Sequence, residues 1–269
     1  MTVPRGTRSA RTPLALAALA ALLPLPALGH TGFILPNVFV ANTERMVTLE
    51  SAFTEDFFHP EIALESEDFH VIGPDGERTA FDRISGHKQV TILEAGMEGE
   101  GTYRFTSGVR RGRTGKMAMA KGEWVPVRGD ELPEGTEYVK TSQTETVSDV
   151  YVSKKGPTRA PVDVHVGRLE IHPITHPSDL YVDGPFTFEV LFDGKPLAGQ
   201  ELSLDRGNAR YEQVKPHRAL TTDADGKAEL SFEAPGVYIL MTRHRADAPA
   251  GAETDIRSYT TSLTFEVQP

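Results

Sequence analysis

The chain has 269 residues, a formal net charge of −10, no cysteine, a single tryptophan, 24 glycines and 19 prolines. Without cysteine, disulfide frameworks, thiolate metal sites and cysteine nucleophiles are excluded, so any metal must be held by nitrogen and oxygen. The acidic balance argues against nucleic acid or an anionic membrane as partner and is compatible with divalent cations, although it is also the ordinary way a secreted domain stays soluble.

The first segment carries Arg5, Arg8 and Arg11, then an apolar run from Leu14 to Leu23, then Pro24-Leu25-Pro26 and the small-residue site Ala27-Leu28-Gly29. These are the three parts of a secretory signal peptide, residues 1–29. The apolar run falls well short of the ~20 residues that span a bilayer, so a retained anchor is the weaker reading. Cleavage after Gly29 would remove three arginines and no acid, taking the net charge from −10 to −13. No cysteine follows the cut to carry a lipid. The expectation is a soluble periplasmic protein that does not insert into the membrane after cleavage.

Short alternating or β-branched runs then recur between turn signals: 33–40, 46–52, 69–72, 89–93, 102–107, 170–174, 186–192, 201–205, 228–232, 237–242 and 259–267. Each reads as a strand. Gly73-Pro74-Asp75-Gly76, Asp193-Gly194-Lys195-Pro196 and Asp223-Ala224-Asp225-Gly226 read as turns, with Gly free to take positive φ and Asp accepting local backbone hydrogen bonds. The expected fold is all-β, as two β-sandwich domains. The middle, 110–161, is expected to be partly ordered, with 141–154 either a helix or a strand pair. The segment 154–161, with Pro157 and Pro161, is the natural boundary, giving an N-terminal sandwich over 30–160 and a C-terminal one over 161–269. The strand-and-turn grammar of the second half is that of an immunoglobulin-like or prealbumin-like sandwich, which speaks to fold and hardly to function.

Cleavage before His30 would set an α-amine beside an imidazole, two nitrogens able to close a chelate ring on one metal ion. With reference pKa values of about 7.7–8.0 and 6.5, both groups lose their protons to a metal near neutral pH at little cost. Nitrogen donors of this kind suit copper and nickel. The competing reading is that the protease simply leaves a histidine there. The other histidines are His59, His70, His87, His165, His172, His176, His217 and His244. None forms a paired helical motif; His172 and His176 come nearest, with Pro173 between them. His59 stands out because it lies in Glu55-Asp56-Phe57-Phe58-His59-Pro60-Glu61, where carboxylates and imidazole flank two aromatics able to pin a loop to the core. The bland alternative is a strand end with a solvated acidic rim. No nucleophile elbow, Walker loop, dinucleotide fingerprint or HExxH occurs, so nothing argues for catalysis.

His30-Thr31-Gly32-Phe33-Ile34-Leu35-Pro36, Ala52-Phe53-Thr54-Glu55-Asp56-Phe57-Phe58, Val71-Ile72-Gly73-Pro74-Asp75-Gly76, Gly101-Thr102-Tyr103-Arg104 and the 169–180 stretch ending Thr175-His176-Pro177-Ser178-Asp179-Leu180, followed by Phe192-Asp193-Gly194-Lys195-Pro196, are similar to a bacterial periplasmic family, domain of unknown function 4198 (DUF4198). The likeness runs over nearly the whole mature chain. The resemblance implies a periplasmic component of nickel or cobalt uptake that accompanies TonB-dependent outer-membrane receptors. The resemblance maps the post-cleavage histidine onto His30 and the histidine of Thr-His-Pro-Ser-Asp onto His176.

The expected function is therefore non-enzymatic, periplasmic metal handling, as an accessory to transition-metal transport. His30 would ligate nickel, cobalt or copper, with His59, His87 or His176 completing the site beside Glu55 or Asp56. A TonB-dependent receptor or an inner-membrane metal transporter is the expected partner. Two rivals stand beside it: a scaffolding module that holds no metal, and a copper oxidase built on an N-terminal histidine brace.

Overall fold

The computed structural model describes residues 30–207 and 217–269, and the segment 1–29, expected to be a signal peptide, lies outside them. The first half contributes strands β1 (Thr31–Pro36), β2 (Val40–Ala41), β3 (Met46–Thr54), β4 (Ile62–Ala63), β5 (His70–Ile72), β6 (Arg78–Thr79), β7 (Arg83–Gly86), β8 (Thr91–Gly96) and β9 (Gly101–Thr106). The middle forms β10 (Arg110–Ala120), β11 (Glu123–Pro126) and β12 (Thr136–Lys154). The remainder is β13 (Leu169–Pro173), β14 (Phe186–Phe192), β15 (Lys195–Pro196), β16 (Glu201–Arg206), β17 (His217–Thr221), β18 (Lys227–Leu230), β19 (Gly236–Asp247) and β20 (Ile256–Val267). The fold is all-β, and among the described residues no helix is long and apolar enough to cross a membrane.

The middle segment departs from expectation. Residues 141–154 are neither a helix nor a strand pair but part of β12, a single strand of 19 residues running through the centre of the largest sheet. Its sequence, Thr-rich and Val-rich with Ser and Asp between, lacks a clean alternation because its C-terminal half is covered on both faces. Val150 and Val152 enter a core with Ile34, Leu49, Leu93 and Phe105, while Tyr151, pointing the other way, joins Phe186, Phe188, Leu263 and Phe265.

That alternation organises the molecule. The large sheet runs β17-β16-β19-β20-β12-β9-β5-β6, with β2, β10 and β11 attached. The sheet β1-β3-β8-β7, with β4 beside β3, packs against one face; the sheet β13-β14-β15, with β18 beside β14, packs against the other. Residues 155–168 form no strand, in keeping with the prolines there. The C-terminal strand nevertheless returns to the first half: β20 pairs in parallel with β12 from Ser142↔Ile256 to Val150↔Thr264. One hydrogen-bonded sheet is thus shared by the residues on either side of the 154–161 segment.

Polar groups lie at this junction. Arg104 and Asp149, both buried, are joined by an N–H···O contact of 2.6 Å, and Arg104 also donates to the carbonyl of Val164 and covers the Tyr151 ring at 5.6 Å. Burial works against the charged guanidinium, but Asp149, Tyr151 and Glu170 together outweigh it and raise the Arg104 pKa.

Candidate functional site

β1 carries His30 and Thr31 to the end of β3, where Thr31 stands opposite Thr54. Close packing fixes this position. Gly32 lies so near the central sheet that a Cβ there would come within 2.7 Å of Leu64 Cδ1 and 2.8 Å of Ser148 Oγ. Phe33 is fully buried and meets Phe58 edge-on at 5.1 Å, with Ala52 and Ile239 in the same cluster.

The loop after β3 is built by the residues that its sequence singles out. Thr54 Oγ accepts from the Asp56 N–H at 3.0 Å, and the Asp56 carbonyl accepts from the His59 N–H at 2.8 Å, closing a turn. Phe58 points inward from that turn as the anchoring aromatic, and the Phe57–Phe58 peptide is cis. The chain then comes back beside β3, with the Glu61 N–H donating to the Phe53 carbonyl.

This reversal brings two carboxylates to His30. Its Nε2 lies 2.9 Å from Glu61 Oε2, and its Nδ1 lies 3.5 Å from Glu55 Oε1. Glu61 is itself held: its Oε1 accepts from the Glu55 N–H and lies 3.2 Å from the Thr54 hydroxyl. The Glu55 N–H above all, with the Thr54 hydroxyl and His30, keeps the Glu61 carboxyl below its usual range against a smaller opposing effect of burial. The cluster is solvent-accessible, with His30, Glu55 and Glu61 side chains 41, 52 and 39% exposed.

The expected ligands are distributed unevenly around this point. His30 and Glu55 come together. Asp56 shapes the turn through its backbone. His59 is half-exposed and its N–H is used in the turn. His87 is exposed on the hairpin between β7 and β8, with Nε2 3.4 Å from the Ser85 hydroxyl. His176 lies elsewhere: its Nδ1 accepts from the Ser178 N–H at 3.1 Å, so its Nε2 carries the proton and donates to the Thr158 carbonyl, with Thr102 Oγ also at 3.1 Å. Thr102 Oγ bonds Ser153 Oγ at the end of β12, whereas Gly32 lies against Ser148 of the same strand, five residues or about 16 Å away along it. His176 thus ties the 158–178 region to β9 and β12. Glu61, the carboxylate nearest His30, was legible only as part of its segment, since its role depends on the turn bringing it back.

As a donor set the side chains are incomplete. Among the described residues no group of three or more His, Asp or Glu is arranged to hold a metal ion. The two carboxylates also sit on opposite ring nitrogens, so a chelate fits here only with the α-amine as the additional donor.

A family model described as Domain of unknown function (DUF4198) matches residues 27–246. The chain belongs to DUF4198. The match takes in the His30 site, the shared sheet and most of β19. No curated protein matches the chain. Among solved structures, the D0-D1 domain of intimin is similar at 11% identity over 86% of this chain and 96% of that one, with a TM-score of 0.22. Escherichia coli alpha-2-macroglobulin activated by porcine elastase is similar at 12% identity over 90% of this chain and 20% of that one, TM-score 0.24. The Yersinia pseudotuberculosis adhesin InvE is similar at 13% identity over 88% and 58%, TM-score 0.21. At such scores these likenesses carry no functional weight for this DUF4198 chain.

Proposed function

We propose that this DUF4198 protein is a periplasmic, non-enzymatic metal-handling protein whose mature N-terminus chelates a transition-metal ion through the α-amine and Nδ1 of His30. The ion is cargo, of the nickel, cobalt or copper kind that takes nitrogen donors readily. The single observation that carries the reading is the asymmetric setting of the His30 ring: Glu61 lies 2.9 Å from Nε2, while Nδ1, the nitrogen able to close a ring with the α-amine, faces the longer 3.5 Å approach of Glu55. A carboxylate accepting from Nε2–H fixes the tautomer that leaves Nδ1 free to ligate. Glu55 would then supply an oxygen on the metal side. The C-terminal, immunoglobulin-like half acts as support, and a TonB-dependent receptor or inner-membrane metal transporter receives the ion.

The test is the intact mass of the exported protein together with calorimetric titration of nickel, cobalt and copper into it and into His30→Ala. A chain starting at His30 that binds one equivalent tightly, with binding lost in the variant, supports the reading. A different start, or equal binding by both proteins, sinks it and leaves the metal-free scaffolding role.

A further inference from the structure

β9 and β10 form one nearly continuous ladder along β12, from Lys154↔Gly101 to Thr136↔Ala120. On the opposite side, β5 covers Arg104–Thr106 and β11 covers Met117–Ala120. Between those two strands, residues 110–115 pair with β12 alone among the described residues. The opening is six residues long, about 20 Å, and one strand wide. Such an unpaired edge presents backbone donors and acceptors ready to take another strand.

The chemistry of the opening selects what can enter. Arg110-Arg111-Gly112-Arg113-Thr114-Gly115-Lys116 contains four cations and no acid in a chain of net charge −10. Like charges opposed across a new ladder are destabilising, so a second copy of this edge is rejected while an acidic strand is favoured. Two of the cations are already engaged: Arg110 covers the Phe53 ring at 4.8 Å and donates to the Glu65 carbonyl, and Arg111 lies 3.7 Å from Glu145. Arg113 and Lys116 are exposed and form no ion pair among the described residues. A bulge between Arg111 and Thr114 keeps Arg111, Thr114 and Lys116 on one face, opposite Glu145, Gln143 and Thr141. Glu65, Glu67 and Asp68 line the groove beside Arg110, and Glu253 lines the one beside Thr114 and Lys116, so a partner's carboxylates are directed first toward Arg113, between the two.

We propose that the β10 edge at 110–116 binds an extended acidic segment of a partner protein, added as a strand between β5 and β11. This is independent of the metal reading. The Lys116 carbonyl accepts from Val127 on the outer side, so by alternation the Thr114 N–H also points outward, and Thr114→Pro removes it without breaking a β12 hydrogen bond.

The experiment measures fluorescence anisotropy of two labelled peptides, one alternating Glu with Val and one alternating Lys with Val, against the wild-type protein, Thr114→Pro and the double variant Arg113→Glu/Lys116→Glu. Circular dichroism checks that each variant is folded. Wild type should bind the Glu peptide alone, the double variant should reverse the preference, and Thr114→Pro should weaken binding by about tenfold or more. Equal binding of both peptides by wild type, binding of neither, or retention of the preference by the charge-reversed protein overturns the proposal. Undiminished binding by a folded Thr114→Pro variant overturns strand addition, since charge alone would then account for the contact.

Discussion

The hydroxyl of Ser262 in β20 lies 2.6 Å from the carbonyl of Gly32 in β1 and donates to it, joining the N-terminal strand to the last strand of the chain. Ser148 of β12 lies 3.0 Å from the same hydroxyl, so three distant segments meet where only hydrogen fits as the side chain of residue 32. Gly32→Val is expected to cost about 1–3 kcal/mol through overpacking and to displace His30 from Glu61. Denaturant unfolding gives the stability change, and an unaltered midpoint would refute the close-approach argument.

Glu61→Gln keeps an oxygen acceptor beside His30 Nε2 but removes the charge. If Glu61 orients the ring for chelation, metal affinity should fall by about 10- to 100-fold, with the stoichiometry unchanged. Calorimetric titration beside Glu67→Gln, an acid away from the cluster, separates this from a general loss of negative charge. Equal losses in the two variants would count against an orienting role.

The buried pair Arg104–Asp149 leads to a non-additive expectation. Asp149→Ala strands a guanidinium whose Nε already lacks a hydrogen-bond partner among the described residues, and should cost about 3–5 kcal/mol. Replacing both residues, as Arg104→Met/Asp149→Leu, should cost less than Asp149→Ala alone, because neither member of the pair is left as a buried charge without its partner. Urea unfolding of both variants checks this, and a double variant less stable than the single one contradicts it.

His176 gives the junction a pH dependence. Burial first, with Arg159 adding to it, pushes its imidazole pKa below the ordinary value of about 6.5. A base whose folded pKa is lowered contributes its full stability above the unfolded value and loses it as pH falls through that value, because the unfolded chain takes up the proton more readily. Protonation would also end the acceptance of the Ser178 N–H by Nδ1. Relative to His176→Gln, wild type should therefore lose stability as pH falls through the ordinary histidine value of about 6.5. Melting curves of the two proteins that shift in parallel across that value would rule the effect out.

The local patterns read well in advance because they depend on neighbours in sequence. The Phe186–Phe192 strand, the Gly76, Gly194 and Gly226 turns with positive φ, and the strand-free stretch after Lys154 follow from side-chain alternation, glycine's freedom and proline's missing N–H. That aromatics pin the loop after β3 was legible from Phe57-Phe58, and the structure buries Phe58 of the two. The family, too, was carried by short ordered segments and is matched over residues 27–246.

Tertiary structure decided what distant segments do together. The Thr, Ser and Val of 141–154 gave no reliable local signal, because a strand buried on both faces takes its stability from β20 and β10, whose residues lie far away in sequence. The choice of Glu61 over His59, His87 or His176 beside His30 likewise arose from the turn at Asp56–His59 and from Gly32 docking on Ser148 and Ser262. The sequence by itself determined an all-β chain of this family and singled out His30 as a residue of interest. Which groups surround that histidine was decided by long-range packing, since hydrogen bonds and close contacts depend on separations in space that residue order alone does not set.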